Sequence, residues 1–218
     1  RRFMRSPTSP FNLRAALSHE VGAAMEALAE DDGGRKAVHR CRVRLRRART
    51  LARVGHTVAP GLSDVFNDSA RGLMRGLASA RELTALAKTA RGLAKRSERK
   101  AAAGLKAIAA TLDAARAALP EIDYATVNAG LRDLLALAHV WPEASPRQIK
   151  RGALRVERRA RKAWRKGRKA GASADYRHAW RQRERDRLYA VTLLGNAWPD
   201  RRPRRRGQSK KVVEVLGE

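Results

Sequence analysis

The chain has 218 residues, carries 49 Lys and Arg against 21 Asp and Glu, and holds a formal net charge of +28. With 43% hydrophobic but only 5% aromatic residues, its core must be built mostly from Ala, Leu and Val; Ala and Leu are strong helix formers and β-branched residues are sparse, which favours a helical bundle over a sheet. The single Cys41 excludes an intramolecular disulfide and a Cys-based metal site, and no apolar run approaches the roughly 20 residues that span a membrane.

In chain order, residues 1–11 contain Pro7 and Pro10 and read as a leader. Asn12 then precedes a helical stretch over Leu13–Glu30, which Asp32-Gly33-Gly34 ends. Arg35–Val54 is the next expected helix, stopped by Gly55 and Pro60. Helices are expected over Leu62–Arg91 and over Lys95–Leu119, the second ended by Pro120, and a shorter one over Ala125–Val140, before Trp141-Pro142. Pro146 suits the first turn of a long helix to about Ala170. After a turn at Gly171–Ser173, Ala174–Ala197 is helical up to Trp198-Pro199. Asp200–Ser209, with Arg201, Arg202, Pro203, Arg204, Arg205 and Arg206, reads as a disordered basic loop, and a last helix starts near Ser209. The chain opens on Arg1 without a signal-peptide pattern. The expectation is that the start of the gene product is missing and that the protein works in a reducing cytoplasm.

A repeat runs through this order. His39-x-x-Arg42-x-x-x-Arg46 recurs as His178-x-x-Arg181-x-x-x-Arg185, an offset of 139 residues (178 − 39), and Leu77 and Leu216 share that offset. The fold class expected is therefore all-α: two pseudo-symmetric antiparallel helical bundles forming one domain over residues 12–218, a first half over 12–120 and a second over 121–218. The second bundle looks truncated, because the chain stops two residues after Leu216.

Charge suggests the partner. An excess of +28 repels itself and is normally met by a polyanion, with nucleic acid, polyphosphate and an anionic membrane surface as candidates. Arginine outnumbers lysine, and its planar fork grips phosphate oxygens in pairs. On a helical wheel His39, Arg42, Arg46, Arg49 and Arg53 share a stripe about 80° wide. It adjoins an apolar stripe of Val38, Cys41, Leu45, Ala48 and Ala52. Arg40, Arg44 and Arg47 fall on another face, and no acid occurs in Arg35–Arg53, so the like charges have no local partner. Such a row is either a solvated face or an anion site. Bordering the core, free of acids and present twice, it reads as an anion site.

The stretch Pro146–Ala170 adds Lys150, Arg151, Arg155, Arg158, Arg159, Arg161, Lys162, Arg165, Lys166, Arg168 and Lys169 against the one acid Glu157. Leu154, Ala163 and Trp164 offer it little core surface, so it is expected to be weakly held without ligand. His39 and His178 each sit beside cations that disfavour the imidazolium, so a neutral ring donating one N–H to a phosphate oxygen is the expected state. No acidic cluster stands near either to hold Mg²⁺, and no Walker loop, Gly-x-Ser-x-Gly turn or His-Glu-x-x-His helix occurs. No catalytic residue, metal or cofactor is expected.

The run Val38-His39-x-x-Arg42-Val43-x-x-Arg46-Arg47-x-Arg49 resembles the first signature of the CHAD family, the conserved histidine α-helical domain. Leu77-x-x-x-Arg81-Glu82 is similar to its Leu-x-x-x-Arg-Asp element, His178-x-Trp180-Arg181-x-Arg183-x-Arg185-Asp186-x-x-Tyr189 with Leu193-Leu194 to its second signature, and Val213-x-x-Leu216-Gly217 to the start of its final Leu-Gly element. Together these extend from about Phe11 to Glu218. The resemblance implies two helical bundles about a pseudo-twofold axis, a basic groove for inorganic polyphosphate, and no catalysis. It implies as groove residues His39, Arg42, Arg46, Arg47, Arg49, His178, Arg181 and Arg185, joined by Arg155, Arg158, Arg159, Lys162 and Arg165. Glu82 for Asp, Thr84 near a second acid position, Glu184 at a position normally apolar, and Leu188 where a basic or aromatic residue is common depart from the family pattern and bear on the packing of the second half.

The function expected is non-catalytic binding of inorganic polyphosphate, in the cytoplasm and in association with polyphosphate granules. Scarce aromatics suit a ligand without bases better than single-stranded nucleic acid. A nucleic-acid-binding or nucleoid-type role is the alternative, which the Arg201–Arg206 run would serve equally well. A phosphohydrolase lacks its metal-binding acids, and surface binding to a membrane lacks a clean amphipathic anchor.

Overall fold

Asn12 begins the fold as its residue type suggests. Its side chain accepts from the Ala15 amide at 2.9 Å and caps α1 (Leu13–Ala29). The computed structural model describes residues 11–30, 34–77, 79–118, 122–169, 171–199 and 204–215, without the side chains of 35, 79–82 and 204–209. The leader over 1–10, the turn at 31–33, residues 200–203 and the Leu216-Gly217 element lie outside them. Nine α-helices and one short 3₁₀ turn make up the described chain, which bears out the all-α class.

After α1 come α2 (Arg35–Gly55), α3 (Pro60–Gly76), α4 (Ser79–Ala94), α5 (Arg99–Ala117), α6 (Tyr124–His139), α7 (Pro146–Gly167), α8 (Ala174–Leu194) and α9 (Arg204–Val215). The long helix expected over Leu62–Arg91 is in fact α3 and α4. It breaks after Gly76, a weak helix former, and Leu77 at the break is buried. The helix expected from Lys95 starts at Arg99 instead. Arg96 and Ser97 donate their amides to Leu93 and Ala94 in tight i→i−3 bonds that close α4. The helix expected to reach Ala197 ends at Leu194, where Gly195 takes a positive φ of 50° and a 3₁₀ turn follows. The basic loop is also corrected: Arg204, Arg205 and Arg206 open α9, because Arg, Gln and Lys are good helix formers.

Contacts gather the chain into two compact units, one of residues up to Ala70 with those from Leu131 onward, the other Arg71–Gly130. In the smaller unit Ala87 and Ala90 of α4 pack on Ala109 of α5, with Leu112 alongside. Gly130 there faces Leu73, whose Cδ2 would lie 2.6 Å from an added Cβ.

The larger unit carries the apolar stripe foreseen in α2, and a matching one in α1. Leu17, Val21 and Ala24 of α1 and Cys41, Leu45, Ala48 and Ala52 of α2 are all fully buried. Phe66 meets Trp141 edge-on, with ring centroids 5.9 Å apart. Arg14 donates through Nε to the Trp141 carbonyl at 2.7 Å. Ser63 donates its hydroxyl to the Ala52 carbonyl at 2.9 Å.

The helix α7 is not the weakly held element its composition suggested. Ser145 and Gln148 form a capping box around Pro146. Ile149, Ala153, Val156 and Ala160, spaced by three and four residues, are buried as one narrow stripe. Small residues let it approach closely: a Cβ on Gly152 would lie 2.1 Å from the Val54 carbonyl oxygen of α2. Gly167 is similarly set against Trp180 of α8. Leu154 and Trp164 are exposed and take no part.

Candidate functional site

The helix α2 presents two basic faces with different fates. Arg40, Arg44 and Arg47 turn to α1: Arg40 pairs with Glu30 at 3.4 Å, and Arg44 and Arg47 pair with the two oxygens of Glu20 at 3.3 and 2.8 Å. Glu20 is 1% exposed, so this buried carboxylate is neutralised by two guanidiniums. Arg47, expected among the groove residues, is thus paired with α1. The reason is the register, which sets Arg47 one turn below Arg44. His39 lies at the edge of this face. With Glu26, Glu30, Val43 and their neighbours it lines a groove of about 410 Å³ between α1 and α2.

The other face is the row Arg42, Arg46, Arg49 and Arg53. Arg42 is 8% exposed and the rest are half-buried, so the row borders the core as its periodicity required. At its end Arg53 donates through Nη1 to Asp186 Oδ1 of α8 at 2.9 Å. Asp186 accepts through Oδ2 from Arg183 Nη1 at 3.0 Å. Arg159 of α7 stands beside them. Its guanidinium pKa is lowered first by burial, then by the charges of Arg183 and Arg53, with Asp186 pulling the other way and Arg155 adding to the depression. Arg155 donates to Nδ1 of His56, just past α2.

Three arginines from three helices thus gather at one carboxylate, with Arg155 beside Arg159. The close approach at Gly152 places them together, since it brings α7 against α2 one turn before Arg155 and two before Arg159. Arg155 and Arg159 were among the expected groove residues; Arg53, Arg183, Asp186 and His56 were not. Arg53 lay in the expected stripe, and the i,i+3 spacing of Arg183 and Asp186 was a visible signal. Their pairing across helices was not.

The rest of α8 divides in two. Its core-facing acid Glu184, 2% exposed, accepts from Arg187 Nε at 3.1 Å. Arg187 also donates to Glu157 of α7 at 3.4 Å, and Arg161 donates to the same Glu157 oxygen at 2.8 Å. The departure from the family at Glu184 is therefore met by a paired arginine. His178, Arg181 and Arg185 run along another flank, with Arg181 about 140° round the helix from Asp186. Arg181 has its pKa lowered by burial and then by Arg185, and its Nε is buried without a hydrogen-bond partner among the described residues. His178 is exposed, with Nε2 2.6 Å from the Gln182 amide nitrogen. The structure joins the α2 row to α8 through Arg183 and Asp186, on the flank away from His178. Arg158, Lys162 and Arg165 are exposed on α7.

Among the described residues no group of three His, Cys, Asp or Glu side chains is placed to hold a metal ion, and no helix is long and apolar enough to cross a membrane. Residues 12–218 match the family model described as CHAD domain. No curated protein and no solved structure matches the chain.

Proposed function

This chain belongs to the CHAD domain family, and we propose that it is a non-catalytic binder of inorganic polyphosphate, held on the basic surface where α2, α7 and α8 meet. The observation that carries this reading is the gathering of Arg53, Arg183 and Arg159 at Asp186, with Arg155 beside Arg159. Partial burial and then the charges of Arg183 and Arg53 lower the Arg159 pKa, and an arriving phosphate offsets that repulsion by supplying oxygens to the donors. The row of buried Arg42 and half-buried Arg46 and Arg49 extends the cluster along α2, and the exposed Arg158, Lys162 and Arg165 extend it along α7. Such a surface suits a polymer with about one charge per phosphate and no bases. We place the protein in the cytoplasm, on polyphosphate granules where the cell forms them.

One observation favours the second reading, single-stranded nucleic acid. Trp164 and Tyr176 are exposed at 40% and 48%, with Arg168 over the first ring and Lys166 over the second, a pairing that bases can join by stacking. Direct competition decides. Long-chain polyphosphate is expected to displace duplex DNA and RNA at equal phosphate concentration and near-physiological salt. Arg53→Ala with Arg159→Ala is expected to weaken polyphosphate binding about tenfold or more and to lower the salt slope by about one to two. Arg96→Ala with Arg99→Ala, which removes equal charge from the other compact unit, should change affinity far less. Equal losses from the two pairs, or displacement of polyphosphate by nucleic acid, would reject the reading.

A further inference from the structure

We infer that Asp186 is a positioning residue for anion binding, a carboxylate that holds Arg53 of α2 and Arg183 of α8 ready for phosphate before the ligand arrives. The inference rests on the polyanion-binding reading above and concerns a residue that Coulomb's law alone would count against it. A negative charge inside a phosphate-binding cluster repels the ligand. On a chain with 49 cationic residues, one more acid has no use in tuning net charge.

Its geometry indicates what it does. Each oxygen takes one arginine, Oδ1 from Arg53 Nη1 at 2.9 Å and Oδ2 from Arg183 Nη1 at 3.0 Å. The three side chains are 16–29% exposed, so these pairs are less screened than surface ion pairs. One arginine comes from a different helix and the other from three residues earlier on the same helix, so the carboxylate ties α2 to α8 at the cluster. A guanidinium has five N–H donors and Asp186 engages each partner through one nitrogen. Pairing therefore orients the fork.

An unpaired arginine carries about 2 kcal/mol of rotamer entropy that binding must remove. Four unpaired guanidiniums would also splay apart by repulsion, Arg159 being already under the influence of both Arg53 and Arg183. Asp186 removes that disorder in advance, which is preorganisation in the ordinary sense. The chemistry recognised is a phosphoryl oxygen bridged by fixed guanidinium forks, as opposed to diffuse attraction to positive charge.

The test is the substitution Asp186→Asn in the full chain, with affinity measured against long-chain polyphosphate and, in parallel, duplex DNA at several salt concentrations. The preferred polyanion of the wild type judges the function reading. The ratio of variant to wild type on that preferred ligand judges Asp186. Positioning predicts about tenfold weaker binding despite the gained positive charge, the scale of coupled neighbours, and recovery in Asp186→Glu. Bare electrostatics predicts tighter binding and a steeper salt dependence. In an Arg53→Ala, Arg183→Ala background the same Asp186→Asn change should no longer weaken binding and should slightly strengthen it, because only repulsion is left to remove. That background has no Asp186 pair to break, so it discriminates between the two even if the single variant loses helicity. Binding by Asp186→Asn equal to or tighter than wild type, or an unchanged loss in the double-arginine background, would overturn the inference.

Discussion

Replacing Gly152 with Ala probes how the site is assembled, because it touches none of the cationic side chains. The added Cβ would lie 2.1 Å from the carbonyl oxygen of Val54, 2.8 Å from its carbonyl carbon and 3.1 Å from its Cα. All three are backbone atoms of α2, so no side-chain rotation relieves the clash. An ordinary carbon–oxygen contact is about 3.3 Å, so α7 must withdraw by about 1 Å. Overpacking of this kind costs about 1–3 kcal/mol, and a backbone obstacle belongs at the upper end. Alanine returns about 1 kcal/mol through its better helix propensity. The net loss is about 2 kcal/mol, a fall in Tm of about 4–8 °C for a chain of this size. The same withdrawal carries Arg155 and Arg159 away from Arg53 and Arg183, so polyphosphate affinity should drop several-fold even at temperatures where the variant is fully folded. Thermal unfolding by circular dichroism and titration with polyphosphate at about 25 °C measure the two effects. A variant with unchanged Tm and unchanged affinity would refute the claim that the close approach of α7 to α2 builds the cluster.

Two further outcomes follow from buried groups away from the cluster. Glu20→Ala leaves Arg44 and Arg47 without their shared carboxylate and should cost about 2–3 kcal/mol in urea unfolding, with no loss of polyphosphate affinity; a fall in affinity without a fall in stability would return Arg47 to the binding surface. Burial pushes the Cys41 thiol from an ordinary 9.0 up to about 12, against the opposing pull of Arg42, so it should react with disulfide-exchange reagents at about pH 8 only on unfolding. Above about pH 9 the unfolded thiol ionises while the folded one keeps its proton, so stability should decline up to about pH 12, at no more than about 1.4 kcal/mol per pH unit from this group. Rapid labelling of the native protein would contradict the burial.

The local rules read correctly where one helix decides the outcome. Asn12 caps α1, Pro146 opens α7, and the stripe Cys41, Leu45, Ala48 and Ala52 is fully buried beside the arginine row. These follow from capping chemistry and a 3.6-residue period, both written into neighbouring residues. Apolar periodicity ran through Gly76 and hid the break between α3 and α4. Proline and clustered arginines suggested a loop where α9 begins. In both places composition outweighed propensity in the reading.

What the sequence by itself determined is the helical class, the family and the strongly basic charge, since each depends on residue type and spacing along one chain. The tertiary structure alone decided which charged residues meet across helices. Arg47 and Arg49 are two residues apart and equally basic, yet Arg47 is paired with buried Glu20 and Arg49 stays in the row that ends at Arg53. Asp186 meets Arg53 across 133 positions of sequence. Coulomb energy depends on distance in space and on exclusion of water, and neither is a property of position along the chain.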